Sequence, residues 1–187
     1  LLKKLIARTQ RGTDWIASVC EPYQPLEKKY RLTRRCLEVL AEAQFPVNLQ
    51  TKSALVLRDL DVLTRFREIE VGMTITTYDE NIARMFEPGA STVRERIAAL
   101  KTIHDRGIPT FVFVGPILPG GAERLVQDLK GKINKIFIDR MNYLETIIGH
   151  YRALGLTEAA TDRFFREQAA LIAGQAEACG LPCEILF

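Results

Sequence analysis

Several signatures are missing from this chain of 187 residues, and each absence narrows what it can be. No apolar run approaches the roughly 20 residues that a membrane-spanning helix needs; the apolar stretches are short and broken by charge. There is no GxGxxG dinucleotide fingerprint, no GKS or GKT phosphate loop and no HExxH zinc motif. The two histidines, His104 and His150, fall in helical stretches and read as structural or surface groups. Cysteine is scarce. Four thiols in a chain of this size do not make a disulfide framework. Cys20 and Cys36 lie in stretches that read as buried. Cys179 and Cys183 form a CxxxC pair with no further ligand after it: half a metal site, or a helix-end and a strand cysteine of the core. No metal site is assigned, and the setting implied is reducing and cytoplasmic. A charge excess of one sign is lacking too. Lys plus Arg is 26 against 23 for Asp plus Glu, and the net +3 is too slight to argue for nucleic acid or a membrane. The chain opens Leu1-Leu2-Lys3-Lys4 without Met and continues into polar residues, which reads as neither a signal peptide nor an obvious natural start. The expectation is one domain over 1–187, incomplete at its N terminus.

What is present is alternation. Short apolar runs of β type occur at 15–20, 47–51, 69–76, 108–114, 135–138 and 183–187, each separated from the next by a longer stretch. The intervening stretches carry helical spacing. Tyr30, Thr33, Leu37, Leu40 and Ala41 share one face, and so do Ile97, Leu100, Ile103 and His104. Thr77 stands three before Glu80 at capping-box spacing, and Ser91 opens the helix that ends before Gly107. Thr157 begins a last helix reaching about Cys179, stopped by Gly180 and Pro182. Strand–helix alternation of this length predicts an α/β fold with a parallel sheet, its strands in sequential order. Periodicity leaves open whether that sheet is flat or a barrel segment.

In parallel α/β folds, ligands meet the carboxyl ends of the strands. Those ends carry Glu21-Pro22-Tyr23-Gln24-Pro25, Lys52-Ser53, Thr74-Ile75-Thr76-Thr77, Gly115-Pro116 and Gly120-Gly121, and Asp139-Arg140-Met141-Asn142. Polar groups at the ends of apolar strands suit a small-molecule pocket. Each also has a structural reading: a solvated Lys52, capping threonines, turn glycines.

Taken in order, these strand-end residues resemble a known family. Glu21-Pro22-Tyr23-Gln24-Pro25, Tyr30-Arg31-Leu32-Thr33-Arg34-Arg35 and the stretch from Thr51-Lys52-Ser53 through Arg58-Asp59-Leu60-Asp61 are similar to radical S-adenosylmethionine proteins related to spore photoproduct lyase. Phe86-Glu87-Pro88-Gly89-Ala90-Ser91, Glu95-Arg96-Ile97-Ala98-Ala99 and Val114-Gly115-Pro116-Ile117 continue the likeness, which spans roughly residues 14 to 142. The resemblance implies a partial (β/α) barrel, radical-SAM-like. It also implies a 4Fe–4S cluster and S-adenosylmethionine at the strand carboxyl ends. The family's CxxxCxxC loop, whose thiolates ligate the cluster, is absent here. The expectation is that the first strand and this loop precede Leu1, which would leave the run at 15–20 as a sheet edge.

The resemblance also implies site residues. Lys52 matches the lysine that meets the cofactor carboxylate, and Thr74 a hydroxyl residue near its ribose and methionine ends. Cys20 and Glu21 close the strand that binds the methionine moiety. Arg96 matches a helix arginine, Gly115 and Pro116 the loop along the adenine, and Asn142 the end of the last strand. No catalytic residue is assigned. Spore photoproduct lyase has its hydrogen-donating cysteine where this chain has Ser18, and a hydroxyl does not easily take that role.

Three functions follow as expectations. The first is a radical enzyme that, when intact, cleaves S-adenosylmethionine to a 5′-deoxyadenosyl radical, with a DNA lesion as the substrate suggested by analogy. The second is a non-catalytic module that binds a nucleotide-like ligand or a partner and has lost its cluster. The third is a metal-independent α/β enzyme using Glu21, Lys52 and Asp139. For DNA contact the chain offers Arg31, Arg34 and Arg35 in one helix, with Lys28 and Lys29; such a run is ordinarily a solvated face.

Overall fold

The computed structural model describes residues 2–6, 8–9, 12–16 and 20–187. Six strands form one sheet: β1 (Asp14–Ile16), β2 (Val47–Thr51), β3 (Ile69–Thr74), β4 (Thr110–Val114), β5 (Lys135–Ile138) and β6 (Cys183–Ile185). Their order in space is their order in sequence, and every neighbouring pair is parallel. The architecture is therefore α/β, as the alternation predicted. β1 is an edge strand that pairs with β2 among the described residues. Residues 17–19, including Ser18, lie outside the described part of the chain.

Alternation within the strands sets the two faces. In β2, Val47, Leu49 and Thr51 are buried under the helices, while Asn48 and Gln50 point to the other, concave face. Leu49, Val71, Val112 and Ile138 are almost completely inaccessible, and burying each such side chain contributes about 1.5–3 kcal/mol. The helical cover includes α3 (Leu32–Glu42), with Leu37, Leu40 and Ala41 inward, and α6 (Val93–His104), with Ile97, Leu100 and Ile103 inward. On the concave face Phe111 lies across β3. A Cβ on Gly72 would stand 2.1 Å from the Phe111 ring, so the strand needs glycine there. Phe137 meets the same ring edge-on at 5.5 Å, and Lys135 sits over both rings while pairing with Glu70 at 2.8 Å.

Several local expectations are corrected. Arg31 adopts a left-handed conformation (φ 52°) and breaks the chain between α2 (Glu27–Tyr30) and α3, so Tyr30 leaves the helix face and is exposed. Buried Glu27 accepts from the Thr33 and Arg34 amides and so closes the start of α3. The cap of α5 (Glu80–Phe86) is Asp79, not Thr77, and Glu80 reaches across to the Val93 and Arg94 amides of α6. Helix α6 is capped by Thr92 in a capping box with Glu95, one residue beyond Ser91. The last helix, α9 (Asp162–Ala178), starts at Thr161; Thr157 opens only a short 3₁₀ turn, Thr157–Ala159. Cys36 is exposed because it lies on the outward side of α3, and Cys20 is exposed in the loop after β1. Cys179 caps α9 and Cys183 opens β6, both half-buried.

Candidate functional site

Three loops meet at the carboxyl end of β1–β3. The loop after β1 carries Glu21, which binds the end of β2. Its carboxylate accepts from the Lys52 amide at 2.7 Å, the Tyr23 amide at 2.9 Å and the Thr51 hydroxyl. All three bonds are charge-assisted. Glu21 is thereby committed to shaping the loop. The strap after α5, residues 86–91, crosses from the other side. Its Ser91 amide donates to the Lys52 carbonyl at 3.1 Å, and its Ser91 hydroxyl accepts from the Ala54 amide at 2.9 Å. Between loop and strap lies a cavity of about 280 Å³ lined by Glu21, Tyr23, Lys52, Phe86, Glu87 and neighbours from both loops.

Lys52 reaches this cavity with its side chain about one third exposed, its ammonium 2.8 Å from Glu87. Glu87 is held from behind by Arg96 at 2.6 Å, and its own side chain is only 6% exposed. Both Glu87 oxygens are buried, ion-paired and without an aligned hydrogen bond. Arg96 is buried to 1% exposure. Its Nε donates to the Ser91 carbonyl at 2.7 Å and its Nη1 to the Thr74 carbonyl at 2.9 Å. Proline at 88 ends α5 at a fixed point and so sets where Glu87 stands.

Beneath the loop wall is a second charge cluster. Arg58 binds Glu27 and buried Asp59, and Arg34 binds Asp59 at 3.1 Å and Asp61 through two nitrogens at 2.8 and 2.6 Å. The Arg34 fork lowers the Asp61 carboxyl from its usual 3.8 to about 2. Burial, then the Asp59 charge, push the Tyr23 phenol well above its usual range. This cluster consumes Arg34, so the basic run keeps Lys28, Lys29, Arg31 and Arg35 as its exposed members.

The expected site residues divide. Glu21 and Lys52 line the cavity; Arg96 and the Thr74 carbonyl support it through Glu87. The Thr74 hydroxyl is buried and accepts from Gln50 Nε2 at 2.8 Å. Cys20, Gly115, Pro116 and Asn142 do not line it. A Cβ on Gly115 would stand 2.3 Å from the Phe113 ring, which gives this glycine a packing role. Asn142 lies past the end of β5, exposed, its amide donating to Asp139. Asp139 is likewise absent from the cavity wall, so the trio Glu21, Lys52 and Asp139 is not assembled there. The residue that sequence reasoning passed over is Glu87, quoted only as part of a motif.

Among the described residues, no group of three or more His, Cys, Asp and Glu could hold a metal ion, and no helix is long and apolar enough to cross a membrane. No family model matches the chain. An uncharacterised protein of Methanocaldococcus jannaschii is 34% identical over 134 residues, which is 71% of this chain and 51% of the relative. The chain thus spans about half the length of that relative. A spore photoproduct lyase variant with dinucleoside spore photoproduct superposes with a TM-score of 0.66 at 14% identity, over 100% of this chain and 67% of its own. Streptococcus suis SuiB bound to S-adenosylmethionine superposes at 0.59 and 11% identity, over 94% and 37%. The fold is that of the radical S-adenosylmethionine partial barrel.

Proposed function

We propose that this chain is the S-adenosylmethionine-binding part of a radical S-adenosylmethionine enzyme related to spore photoproduct lyase. One observation carries the reading. On this fold, at the carboxyl end of the sheet, a lysine ammonium and a buried carboxylate line one small cavity. That donor and acceptor set fits the amino-acid end of S-adenosylmethionine. Lys52 donates to the carboxylate, the Glu21 network fixes the loop that faces it, and the strap at 86–91 shields the contact from water. Thr74, Gly115, Pro116, Asn142 and the Cys20 backbone are retained as residues along the rest of the cofactor, since all follow strands at the same end of the sheet.

The cluster fits less well. A 4Fe–4S centre takes thiolate ligands, and the described cysteines do not gather: Cys20 follows β1, Cys36 is on the outside of α3, and the other two flank the α9–β6 turn. No step is assigned through it here. Bound together, a reduced cluster and S-adenosylmethionine supply a 5′-deoxyadenosyl radical for hydrogen abstraction; the protein's part is orientation and exclusion of water. The spore photoproduct lyase likeness suggests a DNA lesion as substrate, while fold alone does not fix it. The scattered cysteines favour, as a second reading, a binding module without a cluster.

The test is calorimetric titration with S-adenosylmethionine. Lys52→Ala should weaken binding by roughly 1.5–3 kcal/mol, the typical worth of a hydrogen bond to a charged group. Lys52→Arg should restore only part, because a planar fork does not replace a compact ammonium. Equal affinity in wild type and Lys52→Ala removes the assignment. Anaerobic reconstitution with iron counting and a search for 5′-deoxyadenosine separates the radical enzyme from the binding module.

A further inference from the structure

We infer that Glu87 sets the ligand specificity of this cavity: it selects an α-amino acid end, carrying both an ammonium and a carboxylate, over a phosphate. The inference rests on the S-adenosylmethionine reading and adds to it a residue and a charge rule.

The argument begins with charge. Lys52, Glu87 and Arg96 form a line of three ionised groups, with contacts of 2.8 and 2.6 Å. Together they carry one net positive charge. Arg96 is sealed behind Glu87 and spends its other donors on the Ser91 and Thr74 carbonyls, so it offers nothing to a ligand. Lys52 and Glu87 are the charged groups of that line that reach the cavity wall. A ligand therefore meets one cation beside one anion. A carboxylate with a neighbouring ammonium satisfies both. A phosphate dianion satisfies Lys52 and faces Glu87 at close range, where a like charge is repelled in a partly desolvated site.

The second observation concerns the Glu87 oxygens. Both are buried, and neither receives an aligned hydrogen bond although each lies close to a cation. A buried carboxylate retains acceptor capacity that it would normally use. A ligand ammonium entering beside Lys52 fills that capacity. The strap geometry fixes where it can do so: the Ser91 amide on the Lys52 carbonyl and Arg96 on the Ser91 carbonyl hold residues 87–91 against the end of β2.

The experiment titrates wild-type protein and Glu87→Gln with three adenosine ligands. S-adenosylmethionine carries the amino-acid group, 5′-methylthioadenosine lacks it, and AMP carries a phosphate instead. Glutamine keeps the size of the side chain and raises the net charge of the line from +1 to +2. Glu87→Gln should bind S-adenosylmethionine about tenfold more weakly, 5′-methylthioadenosine unchanged, and AMP several-fold more tightly. A role confined to structure would weaken all three together, and that result overturns the inference. So does a variant that keeps the wild-type preference. Glu87→Asp, which keeps the charge and shortens the arm, should keep AMP excluded, and its gaining AMP affinity would also count against the charge rule. If wild type takes S-adenosylmethionine in a Lys52-dependent way while Glu87→Gln changes nothing, this inference alone fails. If wild type takes no S-adenosylmethionine, the underlying reading fails and this inference with it.

Discussion

Replacing Arg96 with methionine removes the most deeply buried cation of the structure and leaves its partners behind. Glu87, 6% exposed, would keep Lys52 as its sole counter-ion, and the Ser91 and Thr74 carbonyls would lose the bonds at 2.7 and 2.9 Å. Breaking a buried pair by deleting one partner costs about 3–5 kcal/mol, because the other charge stays buried and uncompensated. At roughly 2–4 °C per kcal/mol for a chain of this size, the melting temperature should fall by about 6–20 °C. Arg96→Lys should lose less, since a single ammonium keeps the charge but cannot span both carbonyls and Glu87. The decisive comparison is the double variant Arg96→Met with Glu87→Gln. Without the carboxylate there is no isolated charge, and the double variant should be more stable than the sum of the single changes by about 1–3 kcal/mol. Thermal and urea unfolding of the four proteins measures this. A loss below about 1 kcal/mol in Arg96→Met, or strict additivity in the cycle, would refute the account of Arg96 as the anchor of the strap.

Two further outcomes follow from packing and from the acid cluster. Gly72→Ala puts a methyl 2.1 Å from the Phe111 ring, and overpacking of this kind costs about 1–3 kcal/mol; Gly89→Ala, with nothing within 4 Å, should be nearly neutral in the same melts. Asp61 has a folded-state pKa depressed by Arg34 to about 2. Its contribution is therefore complete above its unfolded value of 3.8 and is lost as pH falls from there through about 2. Carboxyl NMR titration should show the low Asp61 value in wild type and a return toward 3.8 in Arg34→Ala; an unshifted Asp61 in wild type would remove the fork from the acid-stability account.

Much of the fold was legible in the chain because its determinants are local. Val47–Thr51 alternates, α6 repeats its apolar residues at three and four positions, and a strand–helix–strand unit of this length closes only as a parallel crossover. Helix starts were less legible, since Ser, Thr and Asp compete for the same role over a few residues: Asp79 rather than Thr77 caps α5, and Glu80 serves a different helix. The break at Arg31 was hidden because its left-handed backbone is stabilised by the turn around Glu27, not by glycine.

The site divides along the same line. Sequence alone marked Glu21 and Lys52, because the parallel α/β rule directs attention to strand ends. It could not say that Glu21 would be spent on the Lys52 amide, or that Lys52 would face Glu87. Sequence composition determined an α/β chain with polar strand ends and without a membrane span. Only the tertiary structure decided which charges meet. Lys52, Glu87 and Arg96 belong to three different elements, and their distances depend on the β2–β3 register, the end of α5 at Pro88 and the packing of α6. Charge interaction falls with distance and with solvent access, and neither quantity is written in the order of residues along the chain.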